Sequence, residues 1–249
     1  MSIPQQRVVD KLEEYMKHKD YSGAEKHLLY WLQDAEIEND LRGKLMVCNE
    51  CIGFYRKTDQ RDKALYYCDL AISLLGEQGL EDTVTAGTTY INAATALNAF
   101  GVYERSLTLF EKAKEVYDSH PEVPAHLLGG LYNNMGLTYK ELERFDDAFS
   151  FYDMALLEME KVPGGALEQA ITCLNMADAI AARDGLMEGE QKIFALLDRS
   201  YDLLHDRAVT KDGYYAFVCE KCAPGFSYYG YFAAADELQK EAKEIYART

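Results

Sequence analysis

The chain has 249 residues, with 26 Lys plus Arg against 42 Asp plus Glu, a formal net charge of −16. Hydrophobic residues make up 48% and prolines number five, which excludes disordered and collagen-like chains and leaves enough apolar surface for a core without disulfides. The acid excess argues against a nucleic-acid binder, whose affinity rests on cations neutralising phosphates, and no apolar run approaches the ~20 residues that span a bilayer. The stretch from Met1 to Asp10 lacks the apolar segment of a secretory leader, so the cytoplasm is the expected compartment.

Taken in chain order, the apolar residues fall into copies of one arrangement. Leu12 and Tyr15, then Ala24, Leu28 and Trp31, open it loosely. Cys48, Cys51, Ile52 and Tyr55, followed by Ala64, Cys68 and Ala71, give it in full. A shift of about 42 residues lands on Tyr90, Ala93, Ala94, Leu97, Ser106, Phe110 and Ala113. A second lands on Tyr132, Met135, Gly136, Tyr139, Ala148, Tyr152 and Ala155, and a third on Leu174, Ala177, Asp178, Ala181, Glu190, Phe194 and Leu197. Ala223, Phe226, Ala235 and Ala242 close the series. The fifth copy departs at Asp178 and Glu190, where small residues are expected, so its two helices are predicted to sit apart. Between the helices of each copy, a bulky side chain holds the third place of the turn: Tyr21, Arg61, Tyr103, Phe145, Met187 and Phe232.

Within a copy the apolar places are three or four apart, the spacing of one helical face. One helix pair cannot bury that face alone, so stacked neighbours must supply the core. Gly136 and Ala148 are expected to let two helices approach, and Pro224 to kink or shorten the helix that holds it. The charged segment DELQKEAKEIYART suits a terminal cap.

The segment LYNNMGLTYKELERFDDAFSFYDMAL resembles the tetratricopeptide repeat (TPR) family, and the interval of about 42 resembles its long-helix, kinesin-light-chain-like subgroup. The resemblance implies an all-α fold, a right-handed α-α superhelix (TPR solenoid) of about six helix pairs. It places repeats at approximately 5–38, 45–78, 87–120, 129–162, 171–204 and 216–249 within a single domain 1–249. The residues beyond the common 34 fall in GLEDTVTA, PEVPAHLL and PGGALEQA, between copies.

Four cysteines form C-x-x-C pairs, Cys48/Cys51 and Cys219/Cys222. These could be zinc or redox ligands. Both pairs fall where the pattern expects packed apolar residues, four copies apart, so they read as core, as do Cys68 and Cys173. No metal and no cofactor is expected. The histidines lack metal-ligand spacing, and no phosphate loop, nucleophile elbow or dinucleotide fingerprint occurs, so no enzyme is expected. Eleven of 19 tyrosines hold framework places. Among the others, the cluster Tyr214, Tyr215, Tyr228, Tyr229 and Tyr231 is there to seal the last copies or to form an exposed patch.

The first helices carry Asn49, Asn92, Asn133, Asn134 and Asn175 on the face that forms the inner curve of a TPR solenoid. Asn is a mediocre helix residue, so its repetition there calls for a reason. An amide matches the alternating C=O and N–H of an extended peptide. The resemblance implies that asparagines at such places hold a peptide backbone. The other reading is that they bridge adjacent helices. Further along stand Arg56, Lys57, Lys140 and Arg183, a strip that would favour an acidic ligand. The expected function is a non-catalytic scaffold that binds a protein or extended peptide on its concave face, with no nucleic acid or membrane partner. The alternative is a sensor that captures a signalling peptide and changes curvature.

Overall fold

The computed structural model describes residues 3–248. Positions 1, 2 and 249, where the expected domain and its last repeat end, lie outside the described residues. The helices pair in chain order: α1 (Gln5–Lys17) with α2 (Tyr21–Ile37), α3 (Leu41–Lys57) with α4 (Arg61–Gln78), and α5 (Val84–Ala99) with α6 (Tyr103–Asp118). There follow α7 (Ala125–Glu141) with α8 (Phe145–Met159), α9 (Ala166–Asp184) with α10 (Leu186–Leu204), and α11 (Gly213–Tyr228) with α12 (Phe232–Tyr246). The first three pairs form one unit, ending at Glu122, and the last three a second, beginning at Val123. In the first unit α1, α3 and α5 lie side by side as one layer, and in the second α7, α9 and α11 do.

The turn inside a pair is built the same way five times. Lys19, Asp59, Gly101, Glu143 and Gly230 take left-handed φ values between 55° and 86°. In each case the next N–H reaches back to a framework carbonyl at 2.9 Å: Asp20 to Tyr15, Gln60 to Tyr55, Val102 to Leu97, Arg144 to Tyr139 and Tyr231 to Phe226. This is the Schellman closure, which satisfies carbonyls that a helix end leaves open. The bulky residues expected at the turn open four of the second helices, Tyr21, Arg61, Tyr103 and Phe145, and also α12 at Phe232. Helix starts are capped by Asp20, Asp40, Thr83 and Asp212, whose side chains accept a backbone N–H of the first turn.

The fourth residue of every second helix is small and buried: Ala24, Ala64, Ser106, Ala148, Gly189 and Ala235. A small residue there lets the paired helix come close. Gly136 of α7 shows the complementary half: a Cβ on it would stand 2.5 Å from the Tyr152 ring. The fifth pair corrects the sequence expectation. Its turn is the single residue Gly185 (φ 86°, ψ 164°) rather than a Schellman closure, so α10 starts one residue early. Gly189, not Glu190, therefore takes the small-residue place, and a Cβ on it would lie 2.7 Å from Ile180 Cγ2. These helices approach closely instead of sitting apart. α11 runs through Pro224 from Gly213 to Tyr228, so the proline does not shorten it. The residues beyond the common repeat length partly lengthen the first helices: α5 is capped by Thr83, and α7 begins directly after Pro124.

All six cysteines are buried free thiols. Burial pushes the Cys48 and Cys222 thiols up to about 12, and no cluster of three or more metal-ligating side chains occurs among the described residues. Among the described residues, no helix is long and apolar enough to cross a membrane.

Candidate functional site

In the first unit a groove of about 600 Å³ opens on the first-helix layer. Leu45, Met46 and Leu80 give it apolar walls; Asn49, Asn92 and the hydroxyls of Thr85, Thr88 and Thr89 give it polar ones. Arg42 and Glu50 line it from α3.

The two asparagines are joined. Asn92 Nδ2 donates to Asn49 Oδ1 at 2.9 Å, and Asn49 Nδ2 donates to Thr89 Oγ1 and the Leu45 carbonyl, each at 3.1 Å. Thr89 Oγ1 in turn donates to the Thr85 carbonyl at 2.9 Å. The result is a chain of polarised bonds across the α3–α5 seam. A second ladder stands in the second unit. Asn175 Nδ2 donates to Asn133 Oδ1 at 2.9 Å, and Thr172 Oγ1 donates to the same oxygen at 3.1 Å.

These bonds use only part of each amide. An amide has two donors and a two-lone-pair acceptor. Among the described residues, Asn92 and Asn175 keep their oxygens and one N–H unengaged, Asn133 keeps both donors, and the Asn134 amide has no hydrogen-bond partner. All five asparagines are half-buried. Bridging and ligand contact are thus compatible at the same residues.

The cations fall differently. Lys140 Nζ is 2.8 Å from Glu141. Arg183 donates to both carboxylate oxygens of Asp184, at 2.7 and 2.9 Å, and leans over the Phe149 ring of α8, 4.7 Å from its centroid. Arg56 is half-buried without a carboxylate partner among the described residues, and burial lowers its pKa. Burial likewise raises the Glu50 carboxyl above the usual range, with Glu13 adding to the rise and Lys57 opposing it.

The remaining tyrosines mostly seal. Tyr215 is buried and bonds Glu241, Tyr229 donates to Asp178 at 2.7 Å, and Tyr231 donates to Asp198 at 2.8 Å. Asp178 is thus an anchor for the last pair. Tyr214, bonded to Glu168, stacks with Phe217 at 6.1 Å between ring centroids, and it and Tyr228 stay exposed. The sequence reading missed Thr89, Thr172, Arg42 and Glu50. Arg42 lies seven residues before Asn49, a helical spacing that points to it, whereas Glu50, directly after Asn49, carries no such signal.

Paired helices, recurrent turns and a layer of first helices define the TPR-like helical repeat fold. No protein-family model matches the chain, and no curated protein matches it in sequence. Solved structures do. BtubC (BKLC) from P. vanneervenii superposes with a TM-score of 0.69 at 21% identity, over 80% of this chain and 78% of that one. A putative kinesin light chain from Podosopora anserina, with nearly identical TPR-like repeats, superposes at 0.57 and 13% identity, over 82% and 96%. A Rap protein complexed with Competence and Sporulation Factor superposes at 0.56 and 15%, over 98% and 77%.

Proposed function

We propose that the chain is a non-catalytic scaffold that grips an extended protein or peptide segment along its first-helix layer. The groove of the first unit carries this reading: apolar walls to seat side chains, and the Asn92 amide, whose oxygen and second N–H are unengaged, to hold a backbone. Asn133, Asn134 and Asn175 would extend the same chemistry in the second unit, with Arg56 available to a ligand carboxylate. Lys140 and Arg183 would serve at its rim, since each already has an acidic neighbour. Six free buried thiols suit a reducing compartment such as the cytoplasm.

A selection of random octapeptides on the folded protein tests this. Selected peptides should lose roughly tenfold in affinity for Asn92→Ala, as one or two lost hydrogen bonds imply. They should fail to bind Thr88→Trp, which fills the groove from an exposed position. Binding left whole in Thr88→Trp would remove the groove from the function. A peptide sensor is the second reading, favoured by the Rap structure, which holds a ligand and spans 98% of this chain. Small-angle scattering that changes on adding a selected peptide would support it.

A further inference from the structure

The groove has charges at two places along α3 and, among the described residues, no ion pair for either. Arg42 is exposed, Glu50 is half-buried, and both line the groove with Met46 between them. Among the described residues neither has a carboxylate or cation within salt-bridge distance. Every other acid or base of α3 lies outside the groove lining. A carboxylate held partly out of water without a counter-charge is a cost that an arriving cation converts into attraction. Burial sets that cost; Lys57 lowers it by more than Glu13 of α1 adds, and the carboxyl still stays raised.

We propose that this groove selects a dipolar extended segment, with a Lys or Arg side chain opposite Glu50 and an Asp or Glu side chain opposite Arg42. The proposal rests on reading the groove as the binding site. Eight residues of helix separate Arg42 from Glu50, a rise of roughly 12 Å. An extended chain covers that distance in about four residues at ~3.3 Å each. The ligand signature is therefore one base and one acid three to five residues apart, with an apolar side chain between them over Met46. The Asn49–Asn92 ladder lies beside this track and supplies its backbone contacts. The overall charge of −16 further draws basic segments towards the surface. This differs from the acidic ligand that Arg56, Lys140 and Arg183 suggested, because two of those cations already have carboxylate neighbours.

The test is a positional-scanning library of acetylated, amidated octapeptides bound to the full chain. Wild type should enrich Lys or Arg at one position and Asp or Glu three to five residues away, each at least fivefold over Gln. Glu50→Gln should lose the basic preference and keep the acidic one; Arg42→Gln should do the reverse. Glu50→Lys should select an acid where wild type selects a base, a gain that misfolding does not produce. An unchanged profile in Glu50→Gln, with Thr88→Trp still abolishing binding, overturns the charge assignment and leaves the groove standing. Binding unaffected by Thr88→Trp overturns the groove itself and the assignment with it.

Discussion

The asparagine ladder makes a quantitative demand. Asn49→Ala removes the bond from Asn92, the bond to Thr89 and a third to the Leu45 carbonyl. The third counts little, because that carbonyl keeps its place in the helix ladder. Two neutral bonds at about 0.5–1.5 kcal/mol each give a loss of about 1–3 kcal/mol, while Asn92→Ala, which loses one bond, should cost about 1 kcal/mol. The double variant lacks the shared bond only once. Its loss should therefore fall short of the sum by the value of that one bond, about 0.5–1.5 kcal/mol, the coupling energy of the pair. Urea unfolding followed by circular dichroism gives the totals, and hydrogen exchange in α3 and α5 assigns them to the first unit. Additivity within error would mean that the amides do not hold each other in solution. The bridging account would then fail, together with its explanation for Asn at those places.

Glycines give a paired contrast. Gly136→Ala should destabilise by about 1–3 kcal/mol, since the new methyl meets the Tyr152 ring, whereas Gly53→Ala, with open space at the Cβ, should stabilise by about 0.5–1 kcal/mol; thermal melts compare the two. Glu50 and Glu25 should give opposite pH signatures. The Glu50 pKa is raised in the fold, so its ionisation opposes folding at neutral pH. Glu50→Gln should raise stability at pH 7, with the gain fading as pH falls through the folded pKa towards the unfolded value. The Glu25 pKa is lowered by its hydrogen bond from Lys63, with Tyr55 adding to it. Glu25→Gln should cost stability above the unfolded value and lose that effect as pH falls through the folded one. The thiols should ignore Ellman's reagent at pH 8 until the chain unfolds, because burial keeps them protonated and enclosed; rapid reaction of any one in native buffer would contradict its placement in the core.

The helix pairs were legible because their causes are local and repeated. Small residues at the fourth place of each second helix, and bulky ones at its start, recur throughout, and a shift of 42 recovers them from Ala64 to Ala148. That shift failed at Gly185, where one missing turn residue slid α10 by a place and turned Gly189 into an apparent Glu190. A fixed-interval template has no means to see a deletion that glycine's unusual backbone angles absorb. The site was half legible for a related reason. Asn49 and Asn92 are 43 residues apart, so a strict shift of 42 sets Asn49 opposite Ile91. Yet one residue of helix is only ~1.5 Å of rise, well within the reach of an amide, and the two meet. Charges are harder still. Which carboxylate Lys140 or Arg183 takes depends on rotamers, and each took a neighbour in its own helix. Two of the four cations that stood out in the sequence were thus already paired. Glu50 and Arg42, unremarkable in a chain so rich in acid, line the groove with no opposite charge within bridging reach among the described residues.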